Sequence, residues 1–240
     1  MIFNFLVPYA DEFILFNLFR YVTFRAGAAC MTALFISLFF GPAVINWLKS
    51  FQNGGQPIRT DGPESHLLTK KGTPTMGGVL ILLGLLSSTL LWADLRSGLL
   101  WAVLLVTVGY GLLGFWDDWL KVTKRNTKGV SGKMKLVAQA GFGLAAAIWI
   151  TALMPNEIAN KLAFPFFKDA LLNFGILFPL VGMLVMMGAS NAVNLTDGLD
   201  GLATVPVMLA AAVFALIAYL VGNRVFADYL QLNGVPGSSE

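Results

Sequence analysis

The sequence predicts an all-α fold: a polytopic bundle of about six transmembrane helices, forming a single integral membrane domain over residues 1–240. Three observations lead there. Apolar residues make up 57% of the chain and charged residues 12%, against roughly one quarter charged in a soluble globular domain. Six uncharged runs approach or exceed about 20 residues, the helical length that crosses ~30 Å of hydrocarbon. Open strand edges cannot be satisfied in lipid, so each run is expected to be a helix.

Taken in order, the chain opens with "MIFNFLVPYADEFILFNLFRY". This stretch has no basic leading region and is interrupted by Pro8 and by Asp11-Glu12, so it is unlike a cleavable signal peptide. An interfacial or partly inserted segment is expected. The predicted spans follow as Ala26–Leu48, Gly72–Ala93, Gly98–Trp116, Leu136–Asn156, Ala170–Thr196 and Gly201–Asn223. Runs such as "GVLILLGLLSS" and "AGFGLAAA" place small residues where helix backbones can approach closely, which favours a bundle over separate anchors.

With the N-terminus outside, segments 49–71, 117–135 and 197–200 face the cytoplasm and carry ten of the sixteen Lys and Arg. The excess of positive charge on cytoplasmic loops favours that orientation. Cys30 is the single cysteine and His66 the single histidine. Disulfide frameworks, thiolate metal sites and chemistries resting on a histidine base therefore have little to work with.

Three cytoplasmic stretches are unlike ordinary connections. In "RTDGPESHLLTKKGTPTMGG", residues 59–78, Thr73 is suited to cap the second span and Pro74 to its first position. The same helix start, with Lys70 and Lys71 before it and Thr75 on its first turn, could also bind an anion through free N–H groups and the helix dipole.

"GFWDDWLK", residues 114–121, ends an apolar run on two adjacent carboxylates. Asp117 and Asp118 are expected at the C-terminal end of a helix, where the dipole disfavours negative charge. Lys121 and Lys124 could pair with them at helical spacing, which is the structural reading. A divalent cation bound by the pair is the functional one, and an all-oxygen site favours magnesium.

In "SNAVNLTDGLDGLA", residues 190–203, Asn191, Asn194, Asp197 and Asp200 recur every third residue and gather towards one side of a helical turn. Capping of the sixth span accounts for the acids; the asparagines sit at lipid depth, where polar groups are expensive and usually functional. The basic cluster from Lys121 to Lys135 suits both a positive-inside loop and attraction of phosphorylated substrates. Acids, amides, lysines and a helix N-terminus facing one compartment are the groups needed for transfer between phosphate-bearing molecules.

In this order, "DGPESHLLTKKGTPTMGG", "GFWDDWLK", "NTKG" and "NAVNLTDGLDGLA" resemble the phospho-N-acetylmuramoyl-pentapeptide-transferases, within the polyprenyl-phosphate N-acetylhexosamine-1-phosphate transferase superfamily. The resemblance implies a multi-pass enzyme of the bacterial inner membrane, with its N-terminus periplasmic and its active face cytoplasmic. Its implied partners are UDP-MurNAc-pentapeptide, undecaprenyl phosphate and membrane lipid; a homodimer is implied as well, and no nucleic acid is expected. The implied reaction gives lipid I and UMP and requires Mg2+.

By the same resemblance, Asp117 and Asp118 match an aspartate pair assigned to catalysis, with deprotonation of the lipid phosphate as its task. Lys70 and Thr75 match residues lining the nucleotide and phosphate site. Asn194, Asp197 and Asp200 match an NxxDxxD element beside metal and uridine, and Asp117, Asp118 and Asp197 are the implied metal ligands. Lys121 and Lys133 are candidates for phosphate contact.

The family's bundle has ten transmembrane helices, and its later half carries an "FMGD"-like aspartate and a histidine-rich loop; neither motif occurs in these 240 residues. The expectation is a fragment or truncated product that does not catalyse alone, or one whose remainder is supplied elsewhere. Residue types leave open whether an aspartate forms a covalent adduct or the lipid phosphate attacks directly; direct attack is favoured. The alternatives are a sibling transferase for another UDP-sugar, a transporter or channel, and a non-catalytic scaffold. A transporter would line a path through the bilayer with ionisable groups, whereas these acids gather towards one surface.

Overall fold

The computed structural model describes residues 1–52, 74–125, 129–164, 167, 170–197, 201–235 and 237–240. Among them are eight α-helices: α1 (Ile2–Leu6), α2 (Val22–Gln52), α3 (Gly78–Trp92), α4 (Gly98–Lys124), α5 (Gly132–Leu153), α6 (Phe178–Thr196), α7 (Thr204–Gly222) and α8 (Arg224–Leu230). One short hairpin, β1 (Lys161–Ala163) with β2 (Leu171–Asn173), is antiparallel with Leu162 opposite Leu172. Segments containing α2, α4, α5, α6 and α7 are long and apolar enough to cross a membrane. Large apolar side chains on them face outward, among them Phe39, Val137 and Phe214, as lipid-facing helices require. The chain is an all-α multi-pass membrane protein.

The helix expected over Gly72–Ala93 is shorter than predicted. α3 has 15 residues, about 22 Å at 1.5 Å per residue, which falls short of the hydrocarbon thickness. The reason lies at its start. Met76 takes a φ of 71°, outside the right-handed helical region, and the Thr75 peptide is engaged by Gln52. Pro74 therefore lies before the helix rather than at its first position, and Gly77 is the N-cap. Thr73, proposed as the cap, lies outside the described residues.

The fold divides into two compact units. The first comprises Met1–Ala93 and Thr107–Ala138. Its N-terminal stretch is a short helix followed by 3-10 turns at Val7–Tyr9 and Ile14–Arg20. The Met1 ammonium donates to the Leu90 and Leu91 carbonyls at 2.6 and 3.1 Å, supplying positive charge to the carbonyl end of α3. Arg25, 4% exposed, lies with its guanidinium 4.2 Å from the Phe3 ring centroid. α2 and α3 pack together at Gly84, where an added Cβ would lie in contact with α2, 3.4 Å from the Ala33 carbonyl oxygen and from Ser37 Oγ. Trp92 Nε1 donates to Thr32 Oγ1 across the same pair at 2.9 Å.

The second unit comprises Asp94–Val106 and Gln139–Glu240. The span expected from Ala170 begins instead with strand β2, then a 3-10 turn at Gly175–Leu177, and the α-helix proper starts at Phe178. Gly175 has a φ of 52°, a conformation that glycine adopts without a Cβ penalty, and the Asn173 side chain accepts its N–H at 2.9 Å. After α7, Asn223 accepts from the Val225 and Phe226 amides and caps α8.

Candidate active site

Helix α4 carries the acidic pair, and it does not stop there. "DDWLKVTK" contains no helix breaker, so α4 continues through Asp117 and Asp118 to Lys124, with Lys121 and Lys124 in its last turn. This corrects the expectation that the acids end the helix. The unfavourable carbonyl terminus lies beyond them and is met by two lysines, the sign of charge that suits it.

Spacing on α4 brings Lys121 over both carboxylates. Its Nζ lies 2.6 Å from Asp117 Oδ2 and 3.1 Å from Asp118 Oδ1. One ammonium thus offsets the repulsion between two adjacent negative charges. The three side chains are between 16% and 30% exposed, so they are screened less than surface ions yet remain open to a ligand.

Each aspartate has a further, separate partner. Asp117 Oδ1 accepts the Val130 backbone N–H at 2.8 Å, from the segment immediately before α5. Asp118 Oδ2 accepts the Thr75 hydroxyl at 2.8 Å. Thr75 is held in turn by Gln52 at the end of α2: Gln52 Oε1 accepts Thr75 N–H at 2.9 Å and Gln52 Nε2 donates to the Thr75 carbonyl at 3.0 Å. Gln52 is 7% exposed. Phe51, its neighbour, stacks on Trp119 with centroids 5.2 Å apart, tying the end of α2 to the acidic segment of α4.

The other predicted site residues are distributed as follows. Lys133 lies exposed on the first turn of α5. Asn194 is exposed near the end of α6, and Asp197 is that helix's C-cap, its N–H bonded to the Val193 carbonyl. Asp197 does not cap the following helix, whose N-cap is Ala203; a residue that ends one helix six positions earlier cannot serve the next. Lys70, Asp200, Lys71 and His66 lie outside the described residues. Asn191 has an internal partner: its Nδ2 donates to Gln139 Oε1 and to the Met187 carbonyl, each at 2.8 Å. Gln139 is 3% exposed, so this amide pair satisfies a buried polar group in the second unit.

Sequence reasoning therefore identified Asp117, Asp118, Thr75 and Lys121, which the fold brings together, but not Gln52 or Val130. Gln52 had one faint signal, an amide at the cytoplasmic end of an apolar run. Val130 acts through its backbone and leaves no trace in residue type. Among the described residues, no group of three or more His, Cys, Asp or Glu gathers to hold a metal ion. The acidic centre on α4 is a pair, completed by hydroxyl and ammonium rather than by a third carboxylate.

The chain is similar to known proteins along its whole length. The profile of glycosyl transferase family 4 matches residues 100–234, more than half of the chain. Phospho-N-acetylmuramoyl-pentapeptide-transferase signature 1 matches residues 70–82, the segment holding Thr75. A phospho-N-acetylmuramoyl-pentapeptide-transferase of Granulibacter bethesdensis is 66% identical over 240 residues, covering 100% of this chain and 66% of the relative. Proteins of the same name from Gluconacetobacter diazotrophicus and Maricaulis maris are 60% and 51% identical, covering 93% and 100% of this chain and 62% and 67% of the relatives. The chain spans about two thirds of the length of these curated relatives, or slightly less. It belongs to glycosyl transferase family 4 and, within it, to the phospho-N-acetylmuramoyl-pentapeptide-transferase family.

Proposed function

We propose that this chain provides the acidic centre for transfer of phospho-N-acetylmuramoyl-pentapeptide from its UDP-linked donor to undecaprenyl phosphate, yielding lipid I and UMP. The observation that carries the reading is the Asp117–Asp118–Lys121 cluster, with its separate supports from Val130 and Thr75. In this reading the chain forms part of one integral domain in the bacterial inner membrane, with its N-terminus periplasmic, the acidic cluster at the cytoplasmic surface and a second copy as its partner.

Asp117 takes the role of base towards the lipid phosphate. Its carboxylate is oriented at both oxygens by an ammonium and an N–H, which fixes the direction from which it can accept a proton. Lys121 balances the pair when no ligand is bound and is free to turn towards an incoming phosphate. Thr75 fixes Asp118 through its hydroxyl. Lys70, Lys133, Asn194, Asp197 and Asp200 are assigned to the UDP-sugar and its phosphates on the strength of the family resemblance.

The donor set suits magnesium. Two carboxylates and a hydroxyl are hard oxygen ligands, and each carboxylate oxygen retains a lone pair beyond the single hydrogen bond or ion pair described for it. Asp117 and Asp118 would hold the ion; bound there, it would neutralise diphosphate charge on the donor and the leaving UMP.

A chimaera carrying these 240 residues in place of the matching part of the Granulibacter bethesdensis relative tests the reading. It is expected to release UMP from UDP-MurNAc-pentapeptide when undecaprenyl phosphate and magnesium are present, and to stop when the metal is chelated. The 240-residue chain alone is expected to release none. An inactive chimaera that inserts and folds would overturn the assignment.

A further inference from the structure

We propose that Gly129 is a positioning residue for Asp117: its missing side chain lets the backbone at 129–130 lie directly against that carboxylate, so that the Val130 N–H can hold it. A Cβ built on Gly129 would overlap Asp117 Oδ1, lie 2.7 Å from its carboxyl carbon and stand 3.0 Å from Lys121 Cε. Real Cβ atoms do not approach that closely, so any other residue at 129 must push the carboxylate, the lysine or the loop aside. Nearby glycines are under no such demand; Gly114 on α4 and Gly132 at the start of α5 have nothing within 4 Å of an added Cβ.

Backbone freedom is not what calls for glycine here. Among the described residues the glycines with left-handed φ are Gly175, Gly201 and Gly237, and Gly129 is not one of them. What Gly129 supplies is room. The close approach sets the Val130 N–H 2.8 Å from Asp117 Oδ1 while Lys121 sits 2.6 Å from Oδ2. With one donor on each oxygen, rotation of the carboxylate about its last bond breaks at least one of them. Among the described residues, the donors to Asp118 are the side chains of Lys121 and Thr75, so the glycine-dependent hold is specific to Asp117.

The geometric part of this inference stands by itself; its catalytic consequence rests on the proposed transferase reading. The two are separated by measuring carboxyl reactivity as well as turnover. In membrane vesicles bearing the 240-residue chain, carbodiimide-promoted amidation is read residue by residue by mass spectrometry. The Gly129→Ala variant is expected to raise labelling of Asp117 on the order of tenfold, the scale of a lost hydrogen bond to a charged group, with Asp118 changed far less. Gly132→Ala, where the added methyl meets open space, is expected to match the unsubstituted chain. Equal Asp117 labelling in Gly129→Ala and the unsubstituted chain would overturn the inference.

Should Gly129→Ala fail to fold, the paired variant Gly129→Ala with Asp117→Ala decides, because it removes the atoms the new methyl strikes. Recovery of the helical signal supports the contact and failure to recover it overturns it. In the chimaera, Gly129→Ala is expected to lower kcat by about tenfold with KM for the UDP donor within about twofold, the pattern of a misoriented reacting group. A raised KM with unchanged kcat would count against positioning. An inactive unsubstituted chimaera would remove the transferase reading and leave the labelling result to judge Gly129.

Discussion

The side-chain amide of Gln52 closes two hydrogen bonds on the backbone of the single residue Thr75, accepting its N–H at 2.9 Å and donating to its carbonyl at 3.0 Å. Gln52 ends a 31-residue helix, whereas Thr75 precedes the 15-residue α3, so this amide fixes where the second helix can begin. It also sets the hydroxyl that holds Asp118. A buried glutamine thereby links the end of one apolar helix to a carboxylate on another.

Replacing Gln52 with Leu keeps its approximate volume and removes both bonds. The Thr75 N–H and carbonyl then lose their partners in a half-buried place, a loss of about 1–3 kcal/mol. Thermal unfolding in detergent, followed by far-UV circular dichroism, is expected to move to lower temperature in that variant, and an unchanged transition would show that Gln52 does not fix Thr75.

Thr75→Val is a narrower change. It leaves the peptide held by Gln52 and deletes only the hydroxyl donor to Asp118. Stability is expected to fall by about 1 kcal/mol, and turnover of the chimaera by roughly tenfold, with Asp117 labelling unaltered.

Lys121→Met retains the apolar stem and removes the shared ammonium. Two adjacent carboxylates then repel one another without the ammonium that bridges them. Turnover in the chimaera is expected to drop on the order of 10²-fold. Raising magnesium is expected to recover part of the loss, since the ion competes for the same charge; complete indifference to magnesium would argue against the two sharing a place.

Asn191 and Gln139 make a prediction about structure rather than chemistry. Either residue changed to Leu removes the hydrogen bond between the two amides and costs about 1–3 kcal/mol. The double substitution is expected to cost less than the sum of the singles, a coupling measurable as a double-mutant cycle in thermal or denaturant unfolding. Additive losses would mean that the 2.8 Å bond between them carries little energy.

Particular residues mark where the linear chain was legible. The pairing of Lys121 with the aspartates could be anticipated because positions three and four apart on a helix are neighbours by geometry alone. The start of α3 could not: Thr73, Pro74 and Thr75 form a good helix-opening pattern, and the contact that overrides it comes from Gln52, more than twenty residues away. The strand at Leu171–Asn173 was hidden inside an uncharged run, since hydropathy does not distinguish the end of a hairpin from the beginning of a span. Asn191 read as a functional amide because nothing local reveals that Gln139 lies opposite it.

By itself the sequence determined the solvent this protein lives in, its helical class and the residue types of its acidic centre. Those follow from composition, from the length of uncharged runs and from short-range helical spacing, all of which are written along the chain. Only the tertiary structure decided which distant groups complete that centre: the Gln52 amide behind Thr75, and the Val130 N–H admitted to Asp117 by the bare backbone of Gly129. Such contacts depend on the packing of separate helices and on backbone atoms common to every residue, so no local pattern of side chains announces them.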